Sequence, residues 1–267
     1  MARRTHSLWC GGSFYWGHKG EAAMATLAKA PVRTRPAEPF GEARTVALLA
    51  LAVTLVGFWR TFFTQLASTD TLHLLHGASA TGWLVLVLVQ ASLIRARRFR
   101  YHRLLGWASL ALFTLLLASA WGVLVLMLSG KGTPMPFELA KLFALSDVTA
   151  VPLMVVLYAG AIVWRRDRHI HSRLVTGTLL AGLLPAAARM FNLVWPGIDG
   201  LIFAMNPTYL FELAILAVLM WSDWRKGQLR WPFPFAFAWL ALAYATLFPS
   251  WHSAWFDHLA RAIAATA

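Results

Sequence analysis

The chain has 267 residues, of which 59% are hydrophobic and 13% charged, with a mean hydropathy of +0.59 and a formal net charge of +13. A soluble domain of this length would expose far more charge, so the composition points to a polytopic membrane protein. Nucleic-acid binding, which the net charge alone suggests, is disfavoured: the basic residues fall in short clusters between long apolar runs, not on one face of a soluble fold.

Residues 1–44 form a basic leader with prolines at 31, 36 and 39 and no apolar run of signal-peptide length. The composition predicts a cytoplasmic, disordered segment, and Met24 is an alternative start. The lone cysteine, Cys10, leaves no disulfide framework, no cysteine-ligated cluster and no C-x-x-C-H haem attachment. There is also no P-loop, no G-x-G-x-x-G and no H-E-x-x-H, so no hydrolase or nucleotide-binding signature; a redox role stays open.

A bilayer core of about 30 Å needs roughly 20 apolar residues per helix. Segments 45–66, 71–94, 104–128, 139–164, 174–195, 203–224 and 232–250 meet or approach that length. The expected fold is therefore an all-α polytopic bundle of about seven spans over 45–250, with 251–267 as a short outer tail. Nineteen of the 24 Lys and Arg residues lie in the leader, in 95–103, in 165–173 and in 225–230, all on one side of such a bundle. The excess of positive charge predicts a cytoplasmic N-terminus and an outer C-terminus. Trp59, Trp164, Trp195, Trp224, Trp231 and Trp251 fall near the span ends, as an aromatic belt requires.

Two polar layers follow from that orientation. The second span opens LHLLHG, placing His73 and His76 near the outer face and three residues apart on a helix. Asp147 early in the fourth span, Arg189 late in the fifth and Glu212 about two turns into the sixth share the outer half. Charges at that depth normally face the interior and pair, so Arg189 is expected to meet Asp147 or Glu212. One reading is structural ion pairs; the other is an outward-open substrate or proton cavity lined by His73, His76, Asp147, Arg189 and Glu212. A divalent metal at His73 and His76 is a less favoured option, because it needs a third ligand that the sequence does not place.

The inner layer is built differently. RARRFRYHRLLG (95–106) and RRDRHIHSRLVTG (165–177) each carry an arginine cluster, then a histidine, then a leucine that starts the next helix. The pattern suggests that spans two and three are duplicated in spans four and five. His102 and His171 (or His169) would then lie at equal depth on different helices and could ligate one haem iron. The same arginines and histidines equally suit contact with anionic lipid head groups.

LHLLHG, HRLLGW after the first basic turn, HSRL after the second, Ala188-Arg189 and Asp223-Trp224-Arg225-Lys226-Gly227 together resemble a bacterial family of uncharacterised polytopic membrane proteins with HRRLG-like and HKRLM-like turns. The resemblance covers about residues 45–250. The turn here is HRLLG, and Gln228-Leu229-Arg230-Trp231 stands where that family tends to have a histidine-proline. In architecture and histidine placement the chain is also distantly similar to cytochrome b561-type proteins, which implies a haem b electron carrier, quinone-linked if its partner is a lipid-soluble acceptor. The competing readings are a transporter or sensor for a small polar or anionic solute, and a structural or assembly protein.

Overall fold

The computed structural model describes residues 41–132 and 135–267. Long apolar runs in lipid must satisfy their backbone groups within the segment, and all the regular structure among the described residues is helical. In chain order these helices are α1 (Gly41–Phe58, continued by a π-helical turn over Trp59–Phe63), α2 (Thr71–Arg95), α3 (Phe99–Leu128), α4 (Phe137–Val163), α5 (Arg168–Ala181), α6 (Leu184–Asn192), α7 (Ile198–Arg225), α8 (Pro232–Trp251) and α9 (Ala254–Ala264). Six of the spans are long and apolar enough to cross a membrane: α1 with its extension, α2, α3, α4, α7 and α8. The chain is a multi-pass membrane protein. The leader expected over 1–44 lies outside the described residues except for Gly41–Arg44, which already belong to α1.

The expected fifth span, 174–195, is not one helix. α5 and α6 meet at a bend of 42°, and only if the pair is counted as one crossing does the number of spans reach seven. The cause lies in Gly182-Leu183-Leu184-Pro185. Gly182 caps α5, and Pro185, in the first turn of α6, has no N–H to continue the ladder and clashes with the preceding turn. This broken segment occupies the centre: from Ser172 to Ala181 every residue of α5 except Val175 is buried, and Ala186, Ala187 and Ala188 of α6 are buried too. α5 packs against α4, α1 and α8, while α6 packs against α7 and α1. Gly57 permits the closest of these approaches, since a Cβ there would lie 2.1 Å from the Ala186 carbonyl oxygen.

Side-chain pairs fix which ends lie together. At one end Arg173 of α5 holds Asp223 of α7, and Glu42 of α1 holds Lys226 just past α7. The basic turns 95–103, 165–173 and 225–230 all gather there, and we call it the basic end. At the opposite end Nδ1 of His76 (α2) lies 3.3 Å from the Ser119 hydroxyl (α3), and Trp251 Nε1 donates to the Glu138 carbonyl at 2.8 Å. Between the two ends, Trp83 donates to Thr178 at 3.2 Å and packs against Phe113 and Tyr158 with ring centroids 5.0 and 5.1 Å away.

The tail expected at 251–267 contains a helix. Ser253 caps α9, and Phe256, Ala260 and Ile263 bury one face of it against α3, α4 and α8. Asp257 on its other side reaches Arg261 at 2.8 Å and Lys141 of α4 at 3.3 Å. The hydrogen bond from Arg261 is the main reason the Asp257 carboxyl sits below its ordinary range.

Candidate functional site

Buried polar atoms in folded proteins nearly always have partners, so each exception calls for an explanation. Among the described residues five buried side-chain atoms lack a hydrogen-bond partner, and they fall in two places. Gln90 Oε1 and His102 Nδ1 are at the basic end. Thr208 Oγ1 and both carboxyl oxygens of Glu212 lie midway along α7.

The basic-end site is assembled from the starts of two helices. Arg98 is the N-cap of α3, and the His102 N–H donates to its carbonyl at 3.2 Å. Asp167 is the N-cap of α5, and the His171 N–H donates to its carbonyl at 2.9 Å. Each histidine therefore occupies the same position, four residues past its cap. The Asp167 carboxylate also accepts from the His169 and Ile170 N–H groups at 2.9 and 3.1 Å, and the Ile170 bond is the first reason that its carboxyl sits below the ordinary range.

These caps bring the His102 and His171 rings to 6.4 Å between centroids, nearly perpendicular at 85°. The two rings line one cavity of about 240 Å³, with Gln90 and Ala91 of α2, Val175 of α5, and Arg165 and Arg168 at the second basic turn. Nδ1 of His171 lies 2.8 Å from the Ala161 carbonyl, which can only accept, so this nitrogen carries a hydrogen and Nε2 is the one left to face a ligand. Gln90 spends its amide nitrogen on the His102 carbonyl at 3.2 Å, leaving its Oε1 without a donor. The lining thus combines apolar walls with two imidazoles, an amide and two guanidinium groups.

The other histidine weighed at this end, His169, does not share the cavity; its Nε2 lies 3.4 Å from Nε of Arg168. Sequence reasoning passed over Gln90, although an amide inside a run as apolar as WLVLVLVQ is itself a signal for a buried polar role. It also treated Arg173 as one more topology charge. That side chain is buried, clamps Asp223 through two 2.5 Å bonds, and donates to the His169 carbonyl at 2.8 Å.

The opposite-end residues divide into separate groups. His73 is part of a helix cap: its N–H and Nδ1 both engage Asp70, the ring nitrogen at 2.6 Å. The His73 N–H is the leading reason that the Asp70 carboxyl stays below its ordinary range. His76 turns inward onto Ser119. Arg189 forms a direct ion pair with neither Asp147 nor Glu212. Its guanidinium lies 4.5 Å from the centre of the Phe58 ring and donates to the Pro185 carbonyl at 3.0 Å, while acting electrostatically on Asp147 and His76. Glu212 stands apart. α7 begins at Ile198 rather than 203, so Glu212 lies near the middle of its helix, deeper than two turns in. Among the described residues no group of three His, Cys, Asp or Glu side chains could hold a metal ion, which leaves His73 and His76 without the third ligand that a metal there needs.

No family model, curated protein or solved structure matches the chain.

Proposed function

We propose that this is a haem b-binding electron-transfer protein of a bacterial inner membrane, in which His102 and His171 would hold the iron at the cytoplasmic face. The observation that carries this reading is the meeting of the two histidines across one cavity, each four residues past a helix cap. The two ring centres lie 6.4 Å apart, on different helices and against the same cavity.

The donor set fits. The Ala161 carbonyl orients the His171 ring as the outer partner of a metal-bound imidazole does. Ala43, Val87, Ala91, Ile94 and Val175 supply apolar walls, and Arg165 and Arg168 supply cations for propionate groups. At about 240 Å³ the cavity is smaller than the roughly 300–1,000 Å³ of common small-molecule and cofactor sites. Arg165 and Arg168 form its exposed side, where Arg165 donates to the Ile162 carbonyl at 3.2 Å and Arg168 to His169 Nε2 at 3.4 Å. A bound haem supplies one-electron chemistry. The chain's own contribution is to hold two imidazoles at fixed depth, surround them with aliphatic walls, and neutralise the anionic edge. A quinone dissolved in the bilayer is the electron partner that such a position suits.

The test is substitution. His102→Ala and His171→Ala should each abolish the Soret and α/β bands of protein purified after haem supplementation. His169→Ala and His73→Ala should retain them. Bands that survive both His102→Ala and His171→Ala contradict the assignment.

A further inference from the structure

The second cluster of unpartnered atoms, at Thr208 and Glu212, lies apart from the pocket at the basic end. Glu212 and Thr208 are each 0% exposed and one turn apart, so they share a face of α7. That face continues into Met205 and Leu216, both buried, and among the described residues no cation forms an ion pair with Glu212. An ionised carboxylate without a partner in such surroundings costs many kcal/mol, whereas the neutral acid has an O–H to donate and a carbonyl to accept with. A metal cation would need several more oxygens than these three; a proton needs none.

Two hydroxyls lie between this part of α7 and α4. Tyr209, 0% exposed, lies three residues before Glu212, so the two are neighbours on the surface of α7. Its hydroxyl lies 3.5 Å from the Ser146 hydroxyl on α4, and Ser146 precedes Asp147. The other ionisable groups facing this region are Arg189 on α6, which acts on Asp147, and Tyr244 on α8, which stacks on Tyr209 at 5.3 Å and donates to Asn206 at 3.0 Å.

We propose that Glu212 is a proton-binding site at the centre of the membrane, held as the neutral acid beside Thr208 and exchanging its proton through Tyr209, Ser146 and Asp147 toward the end opposite the basic turns. The site does not depend on the haem reading, and its test uses no haem signal.

Infrared spectra of the wild-type protein in lipid at neutral pH should show a protonated-carboxyl carbonyl band that shifts on transfer to D₂O. Glu212→Gln, which keeps the shape of the neutral acid, should remove that band, and Asp147→Asn should not remove it. Tyr209→Phe should keep the band and slow its deuterium shift roughly tenfold, the kinetic equivalent of one lost hydrogen bond. Absence of the band in the wild type overturns the proposal whether or not the variants fold. Loss of an ionised-carboxylate signal in Glu212→Gln, or displacement of the band by sodium at constant pH, overturns it as well. Exchange in Tyr209→Phe as fast as in the wild type overturns the route.

Discussion

Asp223→Ala should lower stability by about 3–5 kcal/mol, the usual cost of removing one partner from a buried ion pair. The Arg173 side chain is 3% exposed and the Asp223 side chain 0%, and two 2.5 Å bonds join them. Without the carboxylate, a guanidinium is left buried with one carbonyl partner, at His169, and the Phe233 ring 5.9 Å away. Because the pair joins α5 to α7, its loss also frees the turn that carries His171. For a chain of this size the change corresponds to a fall of roughly 10 °C in melting temperature. Arg173→Met combined with Asp223→Leu should recover much of the loss, since no charge then remains unpaired. A melting temperature for Asp223→Ala within roughly 2 °C of the wild type would contradict the assignment of this pair as the clamp.

Gly57→Ala should be the other strongly damaging change. In a helix, Gly→Ala normally gains about 1 kcal/mol, and here it should instead cost about 1–3 kcal/mol through overpacking. The new Cβ would stand 2.1 Å from the Ala186 oxygen and 3.0 Å from its carbon, both backbone atoms that cannot swing aside. α1 and α6 must separate, and Phe58, next in sequence, would draw away from the Arg189 guanidinium 4.5 Å from its ring. Gly82→Ala is the control: its Cβ would meet only Leu112 side-chain atoms at 3.7 Å or more, so that variant should be neutral or slightly stabilised. Thermal unfolding of the two variants in detergent measures the difference, and a Gly57→Ala protein as stable as Gly82→Ala would contradict the close packing of α1 on α6.

The spans were largely legible because hydropathy reports burial in lipid directly, and 71–94, 139–164 and 232–250 match α2, α4 and α8 within two residues at each end. Where the ends slip, charge is the reason. The Phe99–Arg103 turn of α3 is helical although its arginines break the apolar run, and α7 starts at Ile198, ahead of the run that marked it. The break in the fifth span could have been read from Gly182 and Pro185, but apolar length outweighed those two residues. The equivalent placement of His102 and His171 came from the repeated basic turns, and the structure brings these two residues together. Long-range polar partners were not legible. Arg173 meets Asp223 across 50 positions, and Arg189 settles on Phe58 and a carbonyl instead of a carboxylate, because helix rotation and tilt decide these contacts. His73 had a nearer explanation in plain view: Asp70, three residues before it, caps its helix.

The central claim is most directly tested by the reduced-minus-oxidised visible spectrum of wild-type protein purified in mild detergent after haem supplementation. The account predicts a Soret shift with sharp α and β bands, at one haem per chain. A flat spectrum from well-folded protein would contradict it and turn attention to a solute at His76, Asp147 and Arg189.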